Sequence, residues 1–300
     1  EFGVDGTSVF RMTCGPISTE LTVFVPPGDP TGVYLLTVRN NSSQKRRLRV
    51  APYFQIVLAG QPEWSGPLII KKDTNLNALF FENPRNTFRS GPAFVSMSIA
   101  PDSIETKRGR FFGLGGKASN PFMVEQGKPD LREQMDERPI AGFLYAIDIP
   151  ANGEKTIAVV LGQADNRGAA SEIIKKYKNI ENVKKSLDET KDWWLFLMGT
   201  VGVKTNDPGF DNLQNWLKYQ TIVERIWARR GFYQSSGAYG FRDQLQDAVN
   251  LIWACPSLAR KQIILDASQQ FIEGDVAHWF HTLYDGRTAF ANRTNASDNL

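Results

Sequence analysis

The fold of this chain changes within residues 155–179, KTIAVVLGQADNRGAASEIIKKYKN. The stretch opens on a run of β-branched and small apolar residues, a composition typical of a buried strand. From Asn166 onward, apolar residues instead recur at intervals of three and four between charged ones, which predicts a helix over 166–179. The stretch therefore divides a β-rich part of the chain from a helical part.

The residues before this division predict an all-β domain over 1–162. Short apolar runs rich in β-branched and aromatic residues recur there, and turn clusters such as 40–43 separate them. Many strands at this spacing favour a large antiparallel β-sandwich. Two of the runs, 35–38 and 48–50, flank a polar turn and predict a hairpin. Residues 114–140 are rich in glycine and charge, which predicts a long surface excursion.

The residues after the division predict a helical linker over 163–204 and a helical domain over 205–300. Further helices are expected over 180–198, from 207 onward, over 243–254 and over 257–271. The second of these begins with a cap residue, Asp207, followed by Pro208 in the first turn. Roughly 100 residues of helices cannot close a large helical core alone, so we expect the chain to be a fragment of a longer protein.

Composition excludes several classes of protein. The chain has 35 Lys and Arg against 32 Asp and Glu, an excess too small for a typical nucleic-acid binder. No apolar run approaches the ~18 residues that a membrane span needs. The two cysteines are too few for a disulfide framework or a structural zinc site. These features predict a soluble cytoplasmic protein, which could form part of a larger membrane-associated one.

The densest polar run, GFRDQLQD, starts at residue 240. On a helix, Asp243 and Asp247 lie one turn apart on one face, as do Arg242 and Gln246. Carboxylate, guanidinium and amide groups can bind several sugar hydroxyls at once, and the preceding loop, which ends at Tyr239, adds aromatic faces and small residues. A capped helix with a surface Arg–Asp pair explains the same spacing, so the residues alone leave both interpretations open.

A second polar run, QQFIEGDVAHWFH, starts at residue 269 and contains both histidines of the chain. His278 and His281 are three apart, whereas a zinc site needs three or four ligands and the helical metalloprotease motif spaces its histidines by four. We therefore expect no metal. Glu273 and Asp275 could act as acid or base, although spacing does not show it. The favoured interpretation is a polar, aromatic loop that includes Trp279.

Together the two runs resemble those of family ninety-four of the glycoside hydrolases, the inverting sugar phosphorylases, which include cellobiose and chitobiose phosphorylases. Within that family the chain is most similar to the phosphorylase-like domain of cyclic β-1,2-glucan synthases. The β-rich part carries the resemblance through FVPP at 24–27 and FFGLGG at 111–116. The resemblance implies an α+β multidomain fold: a large antiparallel β-sandwich, a helical linker and the first helices of an (α/α)6 barrel, assembled as a homodimer.

The resemblance also implies a reaction. Inorganic phosphate would cleave a β-glucosidic bond with inversion, or the bond would be built in reverse from a sugar 1-phosphate, with no cofactor. Phosphate is already an anionic nucleophile, so a general acid is the one carboxyl group required. The family's acid lies in an Asp-Trp-Asn-Asp-like segment that does not occur in these 300 residues. No catalytic residue is therefore expected before Leu300, and the chain alone is expected to be inactive.

By the same resemblance, Arg242 and Asp243 match the family's pair that holds the donor sugar. The family's Ser-Asp-Asp-like segment corresponds to Ser297-Asp298-Asn299. The predicted substrate-binding residues are Tyr239, Arg242, Asp243, Gln246, Asp247, Glu273, His278, Trp279 and Asp298.

The leading hypothesis is a carbohydrate-active enzyme acting on β-linked glucosides, with β-1,2-glucan and phosphate as expected partners. Neither a nucleic acid nor a membrane span is expected. A non-catalytic carbohydrate-binding or assembly module is the alternative, and a plain hydrolase with a similar barrel is a third hypothesis.

Overall fold

The computed structural model describes residues 4–59, 66–86, 89–132, 136–227, 239–282, 287–290 and 292–294. The chain divides into two compact units. The sheet unit comprises residues 1–86 and 90–191, and the helical unit comprises residues 87–89 and 192–300. The domain boundaries near 162 and 204 stay predictions.

Eleven strands form the described part of the sheet unit. In chain order they are β1 (Thr7–Cys14), β2 (Ile17–Phe24), β3 (Thr31–Asn40), β4 (Arg46–Val50), β5 (Tyr53–Gln55), β6 (Ile69–Asp73), β7 (Ala78–Glu82), β8 (Ala93–Met97), β9 (Ser103–Lys107), β10 (Pro139–Ile149) and β11 (Glu154–Gln163). Seven of them make an antiparallel sheet in the order β1-β2-β3-β11-β8-β7-β6. In the second sheet, β10 pairs with β4, β5 and β9.

The core of the sheet unit lies on both faces of the seven-stranded sheet. Successive residues of a strand point to opposite faces, and in β7 both Phe80 and Phe81 are fully buried. Phe81 packs between the two sheets with Phe143 of β10. Phe80 packs on the other face against Ile174 and Tyr177, which belong to a helix described below. A strand buried on both sides is apolar throughout rather than alternating, as the sequence of β7 is.

The predicted hairpin between residues 35–38 and 48–50 is wrong. Strand β3 pairs with β2 and β11, whereas β4 pairs with β10, so the two runs lie in different sheets. Buried Asn40 turns the chain between them: its side-chain amide donates to the carbonyls of Gln44 and Pro150, at 2.7 and 2.9 Å. Such side-chain bonds to the backbone compete with a sheet ladder and redirect the strand.

The predicted surface excursion over 114–140 is only partly correct. A short helix, α1 (Arg108–Phe112), precedes it, and a second, α2 (Phe122–Gln126), lies within it. Met123 of α2 is fully buried. The excursion ends early because β10 already begins at Pro139.

Five longer helices follow the sheets. They are α3 (Arg167–Lys178), α4 (Ile180–Gly199), α5 (Pro208–Trp227), α6 (Phe241–Val249) and α7 (Pro256–Ala267). Helix α3 begins where predicted, because the Asn166 side chain accepts a hydrogen bond from the Ala169 amide at 2.9 Å. Asp207 caps α5 in the same way through the Gly209 amide, at 2.8 Å. No helix of the described residues is long and apolar enough to cross a membrane.

The predicted fold class is confirmed. A large antiparallel sandwich comes first, a pair of helices follows it, and the chain then enters a helical region.

Candidate functional site

The two polar runs of the sequence meet in the helical unit. Strand β12 (Tyr239–Gly240) pairs antiparallel with β14 (Trp279–Thr282), and Gly240 lies opposite Trp279. The amide of Phe241 donates to the carbonyl of His278 at 3.2 Å. The first turn of α6 is therefore tied to the chain at residues 278–279. These contacts make one candidate site out of two segments that α7 separates in sequence.

Strand β14 has one buried and one exposed face. Phe280 is fully buried, and Trp279, which precedes it, is 42% exposed. The rings of Trp279 and His281 lie on the same face, edge to face, with centroids 5.5 Å apart. Burial lowers the pKa of His281, which favours a neutral imidazole. The strand thus presents an indole to solvent beside the start of α6.

Helix α6 directs the Arg242 and Asp243 side chains to solvent. Its buried face consists of Phe241, Gln244 and Ala248, and the helical period places residues 242 and 243 away from that face. Within the part of the chain that the structure describes, neither side chain has a hydrogen bond or an ion pair. The two side chains therefore do not form an ion pair with each other. Asp243 lies in the first turn, where the helix dipole favours a carboxylate.

Gln246 and Asp247 lie one turn further along α6. All four residues lie within the helix, so Gln246 follows Arg242 by one turn and Asp247 follows Asp243 by one turn, as predicted. Gln246 is exposed and Asp247 is half-buried. The helix therefore offers a strip of donors and acceptors that starts at the exposed Arg242–Asp243 pair.

The sequence analysis did not identify Arg293, which binds both carboxylates of the second run, those of Glu273 and Asp275. It lies in β16 (Arg293–Thr294), which pairs with β13 (Val276–Ala277). Its Nη2 lies 2.7 Å from Oε2 of Glu273, and its Nε lies 2.6 Å from Oδ2 of Asp275. The guanidinium also stacks on the Phe271 ring, 3.9 Å from the centroid.

Arg293 decides what these carboxylates can do chemically. Its hydrogen bonds lower the pKa of both Glu273 and Asp275. A general acid must hold a proton near neutral pH, which a carboxyl group with a lowered pKa does not. The acid role considered for the two residues is therefore disfavoured, and Glu273 remains a predicted substrate-binding residue. The contact between Glu273 and Arg293 could not be predicted from the sequence, because Arg293 lies in a two-residue strand, which carries no periodic pattern.

Asp298 and the loop before Tyr239 lie outside the described residues, and of Tyr239 only the backbone pairing with Phe280 is described. Among the described residues, no group of three or more His, Cys, Asp or Glu side chains could hold a metal ion.

Two family models match this chain. The family model for the supersandwich domain of glycosyl hydrolase 94 matches residues 2–180, and the model for the catalytic domain of that superfamily matches residues 193–300. The cyclic beta-(1,2)-glucan synthase NdvB of Rhizobium meliloti (strain 1021) is 33% identical over 279 residues, which are 92% of this chain and 10% of NdvB. The N,N'-diacetylchitobiose phosphorylase of Vibrio proteolyticus is 24% identical, over 86% of this chain and 33% of that enzyme.

A solved structure supports the fold. A putative kojibiose phosphorylase from human microbiome superposes with a TM-score of 0.54 at 12% identity, over 88% of this chain and 34% of that one. The chain thus spans a third or less of the length of these relatives. The predicted family resemblance is confirmed: this chain belongs to the glycosyl hydrolase 94 family.

Proposed function

We propose that these 300 residues are part of an enzyme that cleaves β-1,2-linked glucan with inorganic phosphate, or builds it in reverse from a sugar 1-phosphate. Membership of a carbohydrate-active family supports the substrate class. The 33% identical relative is a cyclic beta-(1,2)-glucan synthase, which supports β-1,2-glucan as the substrate, and the phosphorylase relatives support phosphate as the nucleophile. No cofactor is needed, because phosphate itself is the attacking anion.

The observation that carries this proposal is the exposed Arg242–Asp243 pair in the first turn of α6, directly after the pairing of Gly240 with Trp279. An ionised carboxylate accepts from two neighbouring hydroxyls, and a guanidinium presents several donors in one plane. Both side chains are exposed and bind no other described residue, so their hydrogen-bonding capacity is available to a ligand. The exposed indole of Trp279, whose backbone pairs with Gly240, offers an apolar face for a sugar ring. Gln246, Asp247, Glu273 and His278 would add polar contacts around that ring.

The general acid is proposed to be supplied by another part of the enzyme. No Asp-Trp-Asn-Asp-like segment occurs in this sequence. The carboxylates held by Arg293 are poor acids for the reason given above. We therefore expect substrate contacts but no turnover from these residues alone. We further propose that the enzyme acts in the cytoplasm as a homodimer.

The test is an assay of the full-length protein with β-1,2-glucan and phosphate. Release of glucose 1-phosphate that depends on phosphate, and that is far slower with β-1,4-linked glucan, is the expected result. Release of free glucose without phosphate would instead identify a hydrolase. Binding of the glucan without any turnover would identify a non-catalytic carbohydrate-binding module. Turnover by the purified 300-residue chain would show that the acid lies within it.

A further inference from the structure

A groove opens on the sheet unit, whereas the candidate site described above belongs to the helical unit. It has a volume of about 670 Å³. Strand β10 forms its floor through Leu144 and Ala146, and the end of α2 forms one wall through Gln126. Leu48 of β4 borders the groove through its backbone, because its side chain packs in the core between the two sheets. Its charged lining residues are Arg47, Arg49 and Asp102. This volume falls within the range of small-molecule sites, which is roughly 300–1,000 Å³.

One of the two arginines is fixed by the fold. Arg49 donates from Nη1 to the carbonyl oxygens of Val124 and Glu125, at 2.9 and 2.6 Å, and so caps the end of α2. Its guanidinium also covers Gly127, where an added Cβ would lie 3.0 Å from Nη2. These partners are uncharged carbonyls, so the positive charge of Arg49 is not neutralised by a carboxylate.

The other arginine is uncommitted. Arg47 lies directly opposite Asp148 across the β4–β10 pairing, but the carboxylate of Asp148 pairs with Lys45 at 3.3 Å. Asp102, the acidic lining residue, accepts from the Ala146 amide at 2.6 Å. Within the described residues, the Arg47 side chain has neither a hydrogen bond nor an ion pair. The groove therefore carries an excess of positive charge and one guanidinium ready for an anion.

We propose that this groove binds a sugar that carries an anionic substituent, a phosphate or a carboxylate. Arg47 holds the anionic group in a charge-assisted bond, and Gln126 and Asp102 bind hydroxyls of the sugar. Leu144 and Ala146 form the apolar floor against which its ring packs. The lining contains no aromatic ring on which a neutral glycan could stack, and the groove is far larger than a lone phosphate. Both points favour an anionic sugar over a neutral glycan or a free inorganic anion.

The test is a calorimetric titration of the 300-residue chain with glucose 6-phosphate and with glucuronate. Glucose and inorganic phosphate are titrated separately as the two halves of the ligand. The informative variant is Arg47→Gln, which removes the charge and keeps a polar side chain of similar reach. Its matched control is Arg46→Gln, an exposed neighbour on the other face of β4 whose Nε bonds Ser42 Oγ at 3.4 Å. Asp243→Ala reports on the site in the helical unit.

We expect at least one anionic sugar to bind at least about tenfold more tightly than glucose or phosphate, and Arg47→Gln to weaken it by about tenfold or more. Arg46→Gln and Asp243→Ala should each change its Kd by less than about twofold. Whichever of glucose 6-phosphate and glucuronate binds more tightly identifies the anionic group. The proposal is overturned if neither binds, if phosphate alone binds as tightly, or if Arg46→Gln or Asp243→Ala has the same effect as Arg47→Gln. Circular dichroism of each variant separates loss of binding from loss of folding.

Discussion

The cluster of Asp29, Lys176 and Tyr177 in the sheet unit differs from the Arg242–Asp243 pair at the start of α6 in how its polar groups are bound. In the first, the Tyr177 hydroxyl donates to Oδ2 of Asp29 at 2.6 Å, and Nζ of Lys176 lies 2.8 Å from the same oxygen. In the second, Arg242 and Asp243 are exposed and bind no other described residue. Tyr177 is 1% exposed, so its hydroxyl must be satisfied within the fold. The comparison teaches that charged groups with hydrogen-bond partners inside the fold stabilise this molecule, whereas charged groups without such partners are available to a ligand.

The largest effect on stability should come from the core between the seven-stranded sheet and α3. Phe80 is fully buried, and the Arg167 guanidinium covers its ring at 3.8 Å. We expect Phe80→Ala to lower the free energy of unfolding by about 3–5 kcal/mol. The matched control is Phe10→Ala, because Phe10 is 52% exposed on the edge strand β1. Denaturant titrations in which both variants lose the same stability would contradict this account of the core.

The next largest effect should be on catalysis and not on folding. Removing a carboxylate that bonds two hydroxyls forfeits charged hydrogen bonds of about 1.5–3 kcal/mol each. We therefore expect Asp243→Ala in the full-length enzyme to lower kcat/KM by about 100-fold or more, while stability changes by less than about 1 kcal/mol. The exposed Asp192 of α4 gives the control, Asp192→Ala, which should leave kcat/KM unchanged. A loss of stability that accounts for the loss of activity would assign Asp243 a structural role.

The cluster of Asp29, Lys176 and Tyr177 should show the reverse pattern, a loss of stability without a loss of activity. Tyr177→Phe removes the donor to Asp29, and we expect unfolding to become easier by about 1–3 kcal/mol with unchanged kcat/KM. The half-buried Tyr145 of β10 gives the control, Tyr145→Phe, which should have a smaller effect. Thermal melts and initial rates of the same preparations decide the outcome. Reduced kcat/KM in a fully folded Tyr177→Phe enzyme would break the proposed division between the two regions.

The smallest effect should be the pH dependence that Asp29 brings. Burial acts to raise the pKa of Asp29, but the hydrogen bonds from Lys176 and Tyr177 outweigh it and lower that pKa overall. A lowered folded-state pKa gives stability that is present above the unfolded value of about 3.9 and is lost as the pH falls through the folded value. The free energy of unfolding should therefore drop as the pH falls from about 5 to about 3.

Asp29→Asn and Tyr177→Phe should each flatten that drop in stability. Burial and the hydrogen bond to Asp29 raise the pKa of Tyr177 to about 12, so the phenol stays protonated in this range and does not add a titration of its own. Urea titrations at several pH values measure the slope. Equal slopes in the wild type and Asp29→Asn would show that Asp29 does not carry the effect.

Local patterns explain what could be predicted from the sequence. Periodicity and cap residues located α3 and α5, because Asn166 and Asp207 bond amides of the helices they begin. Periodicity is less reliable on α4, where the spacing of Val183, Leu187, Trp194 and Leu195 predicts one buried stripe. Trp194 is buried, whereas Leu195 is 54% exposed. The period predicts which residues share a face, but not how wide the covered part of that face is.

Non-local pairing explains what could not be predicted. The β3–β4 connection looked like a hairpin, because alternation specifies the faces of a strand and not its partner. The joining of Gly240 to Trp279, and of Ala277 to Arg293, depends on strands of two to four residues. Strands this short leave no pattern in the sequence. Residue types therefore identified Arg242 and Asp243 as candidates, and only the structure showed that Gly240 pairs with Trp279 and that Arg293 binds Glu273.

The central claim is that Asp243 accepts hydrogen bonds from hydroxyls of the donor sugar. The measurement is a two-by-two comparison of kcat/KM in the full-length enzyme: wild type and Asp243→Ala, each with the normal donor and with a donor that lacks one candidate hydroxyl. A site built to bond a hydroxyl rejects the analogue without it, so the wild type should lose about 100-fold on the deoxy donor. That penalty should largely vanish in Asp243→Ala, because the partner is already gone. If the two penalties simply multiply for every hydroxyl of the donor, Asp243 does not contact the sugar and the proposed site is wrong.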